Sequence, residues 1–129
     1  MFQFDTIPPL SLYLHIPWCV RKCPYCDFNS HVRNHIDEQA WREALVADLR
    51  HQADLVSADL RRRCLTSIFF GGGTPSRMPA ATVAAVIESA LDLFPVAPDL
   101  EVTLEANPTS ADAARFQGYR TAGVNRLSL

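Results

Sequence analysis

Residues Leu100–Ala106 read LEVTLEA, and their alternation decides between two folds. Leu100, Val102 and Leu104 fall on one face of an extended chain, and Glu101, Thr103 and Glu105 fall on the other. Strands of an open parallel sheet with helices on both faces are apolar throughout. This one keeps a polar face. SLYLHI, Ser11–Ile16, repeats the pattern, with Leu12, Leu14 and Ile16 opposed to Tyr13 and His15. Such strands pack one face on helices and keep the other polar. They predict an α/β fold of the barrel kind, with an interior that holds a polar ligand, over a sealed doubly wound sheet.

The rest of the chain supplies the elements around these strands. Trp41, Leu45, Leu49, Ala53, Val56 and Leu60 recur every three or four residues, which predicts a helix from Asp37 to about Leu60. LTSIFF, Leu65–Phe70, is a strand stopped by three glycines. MPAATVAAVIESALDLF is a second helix, with Pro79 near its first turn and Pro95 and Pro98 beyond its end. Asn107-Pro108 breaks the strand Leu100–Ala106. Ser110 is placed to cap a third helix running to about Ala122, with Gly123 as its C′ glycine. VNRLSL, Val124–Leu129, begins a fourth strand. The order β-α-β-α-β-α-β implies parallel strands joined by right-handed crossovers. Four strands do not close a (β/α) barrel. Residues 1–129 are therefore expected to be the N-terminal portion of a larger core domain, with the remaining barrel and any C-terminal domain outside it.

Composition limits the function classes. The 129 residues suffice for one domain; 48% are hydrophobic and 20% charged, with a net charge of −2. Nothing in that balance points to a nucleic acid or a membrane surface as partner. Arg61-Arg62-Arg63 reads as cations at a helix C-terminus facing solvent. No segment is long and apolar enough to span a bilayer, and MFQFDTIPPL lacks the pattern of a signal peptide. The expected compartment is a reducing cytoplasm, where clustered cysteines act as metal ligands.

The unusual features all follow strands, where (β/α) folds bind ligands. CVRKCPYCDF, Cys19–Phe28, follows the first strand and carries C-x3-C-x2-C. GGGTPS, Gly71–Ser76, follows the second, and Glu105-Ala106-Asn107-Pro108 the third. Two metal chemistries suit three thiolates on one loop. Zinc needs a fourth ligand, for which His15, His31 and His35 are nearby. A [4Fe–4S] cluster on three cysteines keeps one iron open for a small molecule. Only the second accounts for a glycine run and a carboxylate at the neighbouring strand ends. The glycines lack both the G-x-G-x-x-G and the G-K-[ST] patterns. They let backbone approach a ligand, or they make a tight turn capped by Thr74 or Ser76. Cys64 starts the second strand at the far end of the sheet and reads as a small buried residue, not a ligand.

These residues carry a resemblance. C-x3-C-x2-C after a first strand, with an aromatic before the third cysteine, resembles the radical S-adenosylmethionine (SAM) enzymes. LYLHIPWCVRKCPYCDFNSH, FFGGGTPS, LEANP and GVNRLSL are similar to the oxygen-independent coproporphyrinogen III oxidase family, and together they span Tyr13 to the last residue. The resemblance implies the N-terminal part of a partial parallel barrel of radical SAM type. It implies that Cys19, Cys23 and Cys26 ligate a [4Fe–4S] cluster whose fourth iron takes the amino and carboxylate groups of SAM. One electron from that cluster splits SAM into methionine and a 5′-deoxyadenosyl radical. Tyr13 and Tyr25 would contact SAM or pack beside the cluster, although a barrel-filling role for Tyr13 stays open. Gly72, Gly73 and Thr74 would hold the methionine end of SAM. Glu105 would bond its amino group or ribose, which suits a carboxylate facing a sulfonium cation.

The family divides at Phe28. Porphyrinogen-oxidising members carry a fourth cysteine there. C-x2-C-D-F followed by N-S-H is instead similar to the haem chaperones of the family, which pass haem to respiratory apo-proteins. The implied ligands are haem or a porphyrinogen, and the implied partners are haem-receiving apo-proteins, a membrane-associated respiratory protein among them. His15, His31 and His35 are candidate haem ligands, with polar loop or barrel-lining roles the plainer reading. Three functions stay open at this point: haem chaperone, coproporphyrinogen III oxidase acting in porphyrin biosynthesis, and zinc-binding structural module. Whether the chain is an enzyme depends on which holds, and no residue is assigned to catalysis.

Overall fold

The computed structural model describes residues 6, 8–108 and 112–129. A parallel four-stranded sheet is built from β1 (Leu10–Ile16), β4 (Leu65–Gly72), β5 (Val96–Glu105) and β6 (Arg126–Ser128). Two short strands, β2 (Trp18–Cys19) and β3 (His31–Val32), pair beside it. The helices are α1 (Glu38–Leu55), the single turn α2 (Ala58–Arg61), α3 (Ala80–Leu93) and α4 (Ala113–Ala122). A 3-10 turn, Pro75–Arg77, follows β4.

The strand order β1-β4-β5-β6 follows the chain without reversal. A doubly wound sheet reverses direction at a switch point, so the observed winding is that of a barrel wall. The fold is a partial parallel (β/α) barrel, as the alternation of LEVTLEA predicts. α3 packs between α1 and α4. Leu45, Leu49 and Ala53 of α1, Val83, Val86, Ile87 and Ala90 of α3 and Tyr119 of α4 are buried with Leu14, Ile16, Ile68, Phe70, Val102 and Leu104 of the strands. A neighbour on either side explains why α3 is so rich in alanine and valine.

The other face of the sheet holds side chains in rows, as barrel interiors do. Ser11, Ser67 and Glu101 share one row, and Tyr13, Phe69, Thr103 and Arg126 the next. Tyr13 stacks on Phe69, with ring centroids 6.1 Å apart. Ser67 donates to or accepts from Ser11 at 2.9 Å, and Thr103 donates to Glu101 at 3.0 Å.

Several local expectations change. The helix beginning at Asp37 stops at Leu55, not near Leu60. Ser57 accepts the amide of Leu60 at 3.3 Å and so caps a separate turn, with Val56 extended. A serine that satisfies the backbone locally competes with helix continuation. β5 starts at Val96, ahead of the expected Leu100, and passes over Pro98 by a shift in register between the Leu65–Val96 and Ser67–Glu101 pairs. The N-capping residue of α4 is Asp112, which accepts the amide of Arg115 at 2.9 Å; Ser110 lies outside the described residues. Cys64 is exposed, not buried. The inward position at the start of β4 belongs to Leu65, and neighbouring residues of a strand face opposite ways. Arg61 and Arg62 form exposed pairs with Asp54 and Asp59, which carry little energy. Other expectations hold: Pro79 precedes α3, and Gly123 ends α4 at φ +118. The first helix begins at Glu38, with Asp37 as its cap. No helix among the described residues is long and apolar enough to cross a membrane.

Phe70 is fully buried at the centre of the sheet. Phe70→Ala is expected to cost about 3–5 kcal/mol of stability, read from urea unfolding midpoints. Leu91→Ala, on the outer side of α3 and 42% exposed, should cost less than about 1 kcal/mol.

Candidate functional site

The sheet sends its loops to one end, and three of them form a cleft of about 580 Å³. Cys19 comes from the end of β2 and Cys23, Tyr25, Cys26 and Phe28 from the loop after it, Gly72, Gly73 and Thr74 from the end of β4, and Glu105 and Asn107 from the end of β5. Ser128 and Leu129, at the end of β6, complete it. Every expected site residue except Tyr13 lines this cleft. Tyr13 sits lower on the inner face and is 59% exposed.

The cysteine loop is closed at its base. β2 and β3 pair through Trp18–His31 and Cys19–Val32, and the Arg33 amide donates to the Cys19 carbonyl at 3.1 Å. Cys19 is therefore buried, while Cys26 is half-buried and Cys23 exposed. All three thiols are free. A turn brings the Cys26 amide to the Cys23 carbonyl at 3.1 Å, and the Cys26 Sγ lies 3.7 Å from the Ser30 hydroxyl. Tyr25 stands almost wholly in solvent. Its phenol is pushed above the usual value, first by its hydrogen bond to Cys23 and then by the charge of that thiol. Among the described residues no three histidine, cysteine or carboxylate side chains are gathered closely enough to enclose a metal ion.

The glycine run has a geometric purpose that its composition only hints at. A Cβ on Gly73 would lie 2.8 Å from the Cys19 Sγ and 2.8 Å from the Trp18 carbonyl oxygen. A Cβ on Gly72 would lie 2.7 Å from the Ile16 carbonyl oxygen, and the residue has φ +111. Gly73 donates its amide to Ile16, and Thr74 donates to Trp18 at 2.9 Å. The turn thus continues the sheet edge and presses against the cysteine loop. The Gly72 amide donates to Glu105 Oε2 at 3.2 Å, which ties the turn to the end of β5 as well. These three amides are engaged within the chain. The glycines make a tight turn, but without the expected cap: Thr74 precedes the turn Pro75–Arg77 with no side-chain cap bond, and the Ser76 hydroxyl accepts the Asn107 amide instead; the close approach is to protein backbone and to a cysteine sulfur.

The histidines do not join the cysteines. His15 Nε2 lies 2.6 Å from the Asn29 carbonyl oxygen, which only accepts, so Nε2 carries the proton. In the neutral ring Nδ1 then accepts from the Tyr13 hydroxyl at 3.1 Å. His31 Nε2 bonds the Asn29 side chain at 3.0 Å. Both rings secure the far end of the cysteine loop. His35 lies in a separate groove with Trp18 and Trp41. The Tyr13 phenol is raised above its usual value, mainly by burial and further by the Glu105 charge.

The profile of the radical SAM superfamily matches residues 13–129. The chain belongs to the radical SAM superfamily. Membership implies SAM and a [4Fe–4S] cluster as the general cofactors of the family. The chain is 46% identical over 124 residues to the heme chaperone HemW of Haemophilus influenzae, covering 95% of this chain and 32% of that protein. It is 44% identical over 124 residues to the heme chaperone HemW of Escherichia coli, with the same coverage. A mitochondrial relative from Bos taurus, radical S-adenosyl methionine domain-containing protein 1, is 46% identical over 119 residues, 92% of this chain and 26% of that one. The coproporphyrinogen III oxidase HemN from Escherichia coli, a radical SAM enzyme, superposes with a TM-score of 0.79 at 29% identity, over 92% of this chain and 27% of that one. The chain spans about a third of the length of the heme chaperones that it matches.

Some residues that build this cleft have no signal in the sequence. Asn29 is one loop asparagine among others, and its role depends on two histidines held in place by β1 and β3. Ser76, Arg115 and Tyr119 hold the turn below the glycines through carbonyl contacts that no side-chain pattern records. Asn107 is legible only through its place in the motif Glu105-Ala106-Asn107-Pro108.

Gly73→Ala should force Cys19 out of its pocket, because one of the close atoms is backbone and cannot turn aside. In a background where Cys23, Cys26 and Cys64 are serine, a thiol reagent is expected to label Cys19 several-fold faster in the alanine variant. An unchanged labelling rate would show that the loop absorbs the methyl group.

Proposed function

We propose that the full-length protein is a haem chaperone of the radical SAM class. Cys19, Cys23 and Cys26 hold a [4Fe–4S] cluster in this reading, and Gly72, Gly73, Thr74 and Glu105 hold SAM beside it. The observation that carries the site assignment is the convergence of three free thiols, the glycine turn and one carboxylate on a single cleft. The donor chemistry fits: thiolates are the protein ligands of such clusters, and no disulfide competes for them. The cluster, when bound, supplies an electron and an open iron for the amino and carboxylate groups of SAM.

The chain's own residues do the rest. Cys19 is the anchored ligand, fixed by β2 and by Gly73. Cys23 and Cys26 sit on the open part of the loop, which closes around the cluster as it binds; metal binding and local folding are coupled in such sites. Glu105 already accepts one amide from the turn and offers its carboxylate to the cationic end of SAM. Tyr25, beside Cys23, and Phe28 line the cleft from the cysteine loop and stand in solvent, free to fold over the cluster as the loop closes.

Haem delivery is preferred over porphyrinogen oxidation because the relatives at 44–46% identity are named heme chaperones. Phe28 supports it, since an oxidase of the family would carry a cysteine there. Coproporphyrinogen III oxidation is the second reading, favoured by the superposition on HemN. In the first reading the ligand is haem and the partners are haem-receiving apo-proteins, a membrane-associated respiratory protein among them, met from the cytoplasm. Residues 1–129 are then the N-terminal portion of the core domain.

Full-length protein, loaded anaerobically with iron and sulfide, distinguishes the readings. Stoichiometric haem binding with no protoporphyrinogen formed from coproporphyrinogen III, SAM and a reductant is the expected result; turnover would overturn it. A colourless protein with zinc and no sulfide would end the cluster reading of the three cysteines. Alanine at Cys19, Cys23 or Cys26 should abolish the brown chromophore, and Cys64→Ala should leave it intact. Glu105→Ala should keep the cluster while weakening SAM binding by about tenfold or more, as loss of a charged hydrogen bond predicts. Equilibrium dialysis with labelled SAM reads this, and unchanged affinity would refute the role of Glu105.

A further inference from the structure

The 3-10 turn below the glycines is gripped by α4. Tyr119 is fully buried, and its hydroxyl lies 2.7 Å from the carbonyl oxygens of both Ser76 and Met78. A phenol has one proton, so it donates to one of these carbonyls at a time. Burial raises its pKa while the Arg115 charge opposes the rise, and the hydroxyl remains a donor. Arg115 Nη1 donates to the Ser76 carbonyl at 2.9 Å and to the Arg77 carbonyl at 3.1 Å. Three successive carbonyls of one turn therefore converge on two side chains spaced i, i+4 on one helix face.

The same turn is bound to the far wall of the cleft. The Ser76 hydroxyl, itself fully buried, accepts the amide of Asn107 at 3.1 Å. Asn107 lies two residues beyond Glu105, whose carboxylate accepts the Gly72 amide at 3.2 Å. The glycine turn and the Glu105 strand end are thus joined twice, once inside the cleft by Gly72–Glu105 and once beneath it through Ser76. The lower joint is set by α4.

We propose that Arg115 and Tyr119 are positioning residues for SAM: by fixing the turn Pro75–Arg77 they set the separation between Gly72–Thr74 and Glu105, without touching the cofactor. This rests on the reading of the cleft as the SAM site. A buried carbonyl left without its donor is costly, so loss of either side chain lets the turn drift towards other partners. Drift widens the cleft at the glycines but leaves the cysteine loop in place, because Cys19 is held by β2 and β3.

The test uses the full-length protein with its cluster reconstituted, and compares Tyr119→Phe, Arg115→Lys and Arg115→Gln with wild type. Ile87→Val, a core truncation in α3, is the control for a mere loss of stability. Tyr119→Phe and Arg115→Gln are expected to keep full iron and sulfide content. They should raise the SAM dissociation constant about tenfold and shift to higher SAM the titration of the reduced cluster's EPR signal. Arg115→Lys, which keeps the cation, should recover part of the loss. Without SAM, amide hydrogen exchange over residues 72–78 should quicken in Tyr119→Phe and Arg115→Gln and not in Ile87→Val. Faster exchange with unchanged SAM affinity would overturn the proposal, as would unchanged exchange and affinity together. Loss of affinity in Ile87→Val to the same degree would overturn it too. If the wild-type protein takes up no SAM, the cleft reading itself falls, and the proposal falls with it.

Discussion

The approach of Gly73 to Cys19 and Trp18 is the contact on which the site is built. Nothing larger than a hydrogen fits there, since a Cβ would sit 2.8 Å from both a sulfur and a carbonyl oxygen. That closeness lets the Gly73 and Thr74 amides bond Ile16 and Trp18, so the strand after β1 and the turn after β4 become one surface. Cys19 is buried as a consequence, and the loop carrying the other two cysteines starts from a fixed point. Residues of three loops, up to some ninety positions apart in sequence, then face one cleft.

Order in this cleft is graded, and the grading is chemical. The glycine turn is tied to Ile16 and Trp18 by backbone hydrogen bonds, each worth about 1 kcal/mol net, and to Glu105 by a backbone amide donating to its carboxylate. The far end of the cysteine loop is held by side chains, through the chain from Tyr13 to His15 to the Asn29 carbonyl and through His31 to the Asn29 amide. Between these ends Cys23, Tyr25 and Phe28 stand in solvent. A preorganised wall facing a loop that can close over a large inorganic group loses little entropy where precision is required and leaves freedom where the group must enter.

The same wall serves more than one outcome, because fold does not specify function. The likeness to HemN extends over most of this chain, yet the relatives of higher identity are named heme chaperones. In the reading proposed above, the two activities share the thiols, the glycine turn and Glu105. They differ at the rim, where Phe28 replaces a possible further thiolate by an aromatic ring that takes no part in metal binding.

The local sequence determined the elements and the chemistry of this protein. Period-two alternation in LEVTLEA marked a strand with one polar face, the 3.6 period marked α1, and C-x3-C-x2-C marked the loop proposed above to hold the cluster. These signals are legible because each is written in side chains a few residues apart. The family resemblance added the roles proposed above for Gly72, Gly73, Thr74 and Glu105. The tertiary structure alone decided that β2 and β3 pair, that Ser57 breaks the first helix, that Cys64 faces solvent, and that Tyr13 lies below the cleft. It alone placed Asn29, Ser76, Arg115 and Tyr119 in the frame of the site. Their bonds end on backbone carbonyls, which every residue possesses. No pattern of side chains encodes which carbonyl will be reached; only the packing of α4 and β1 against the loops selects it.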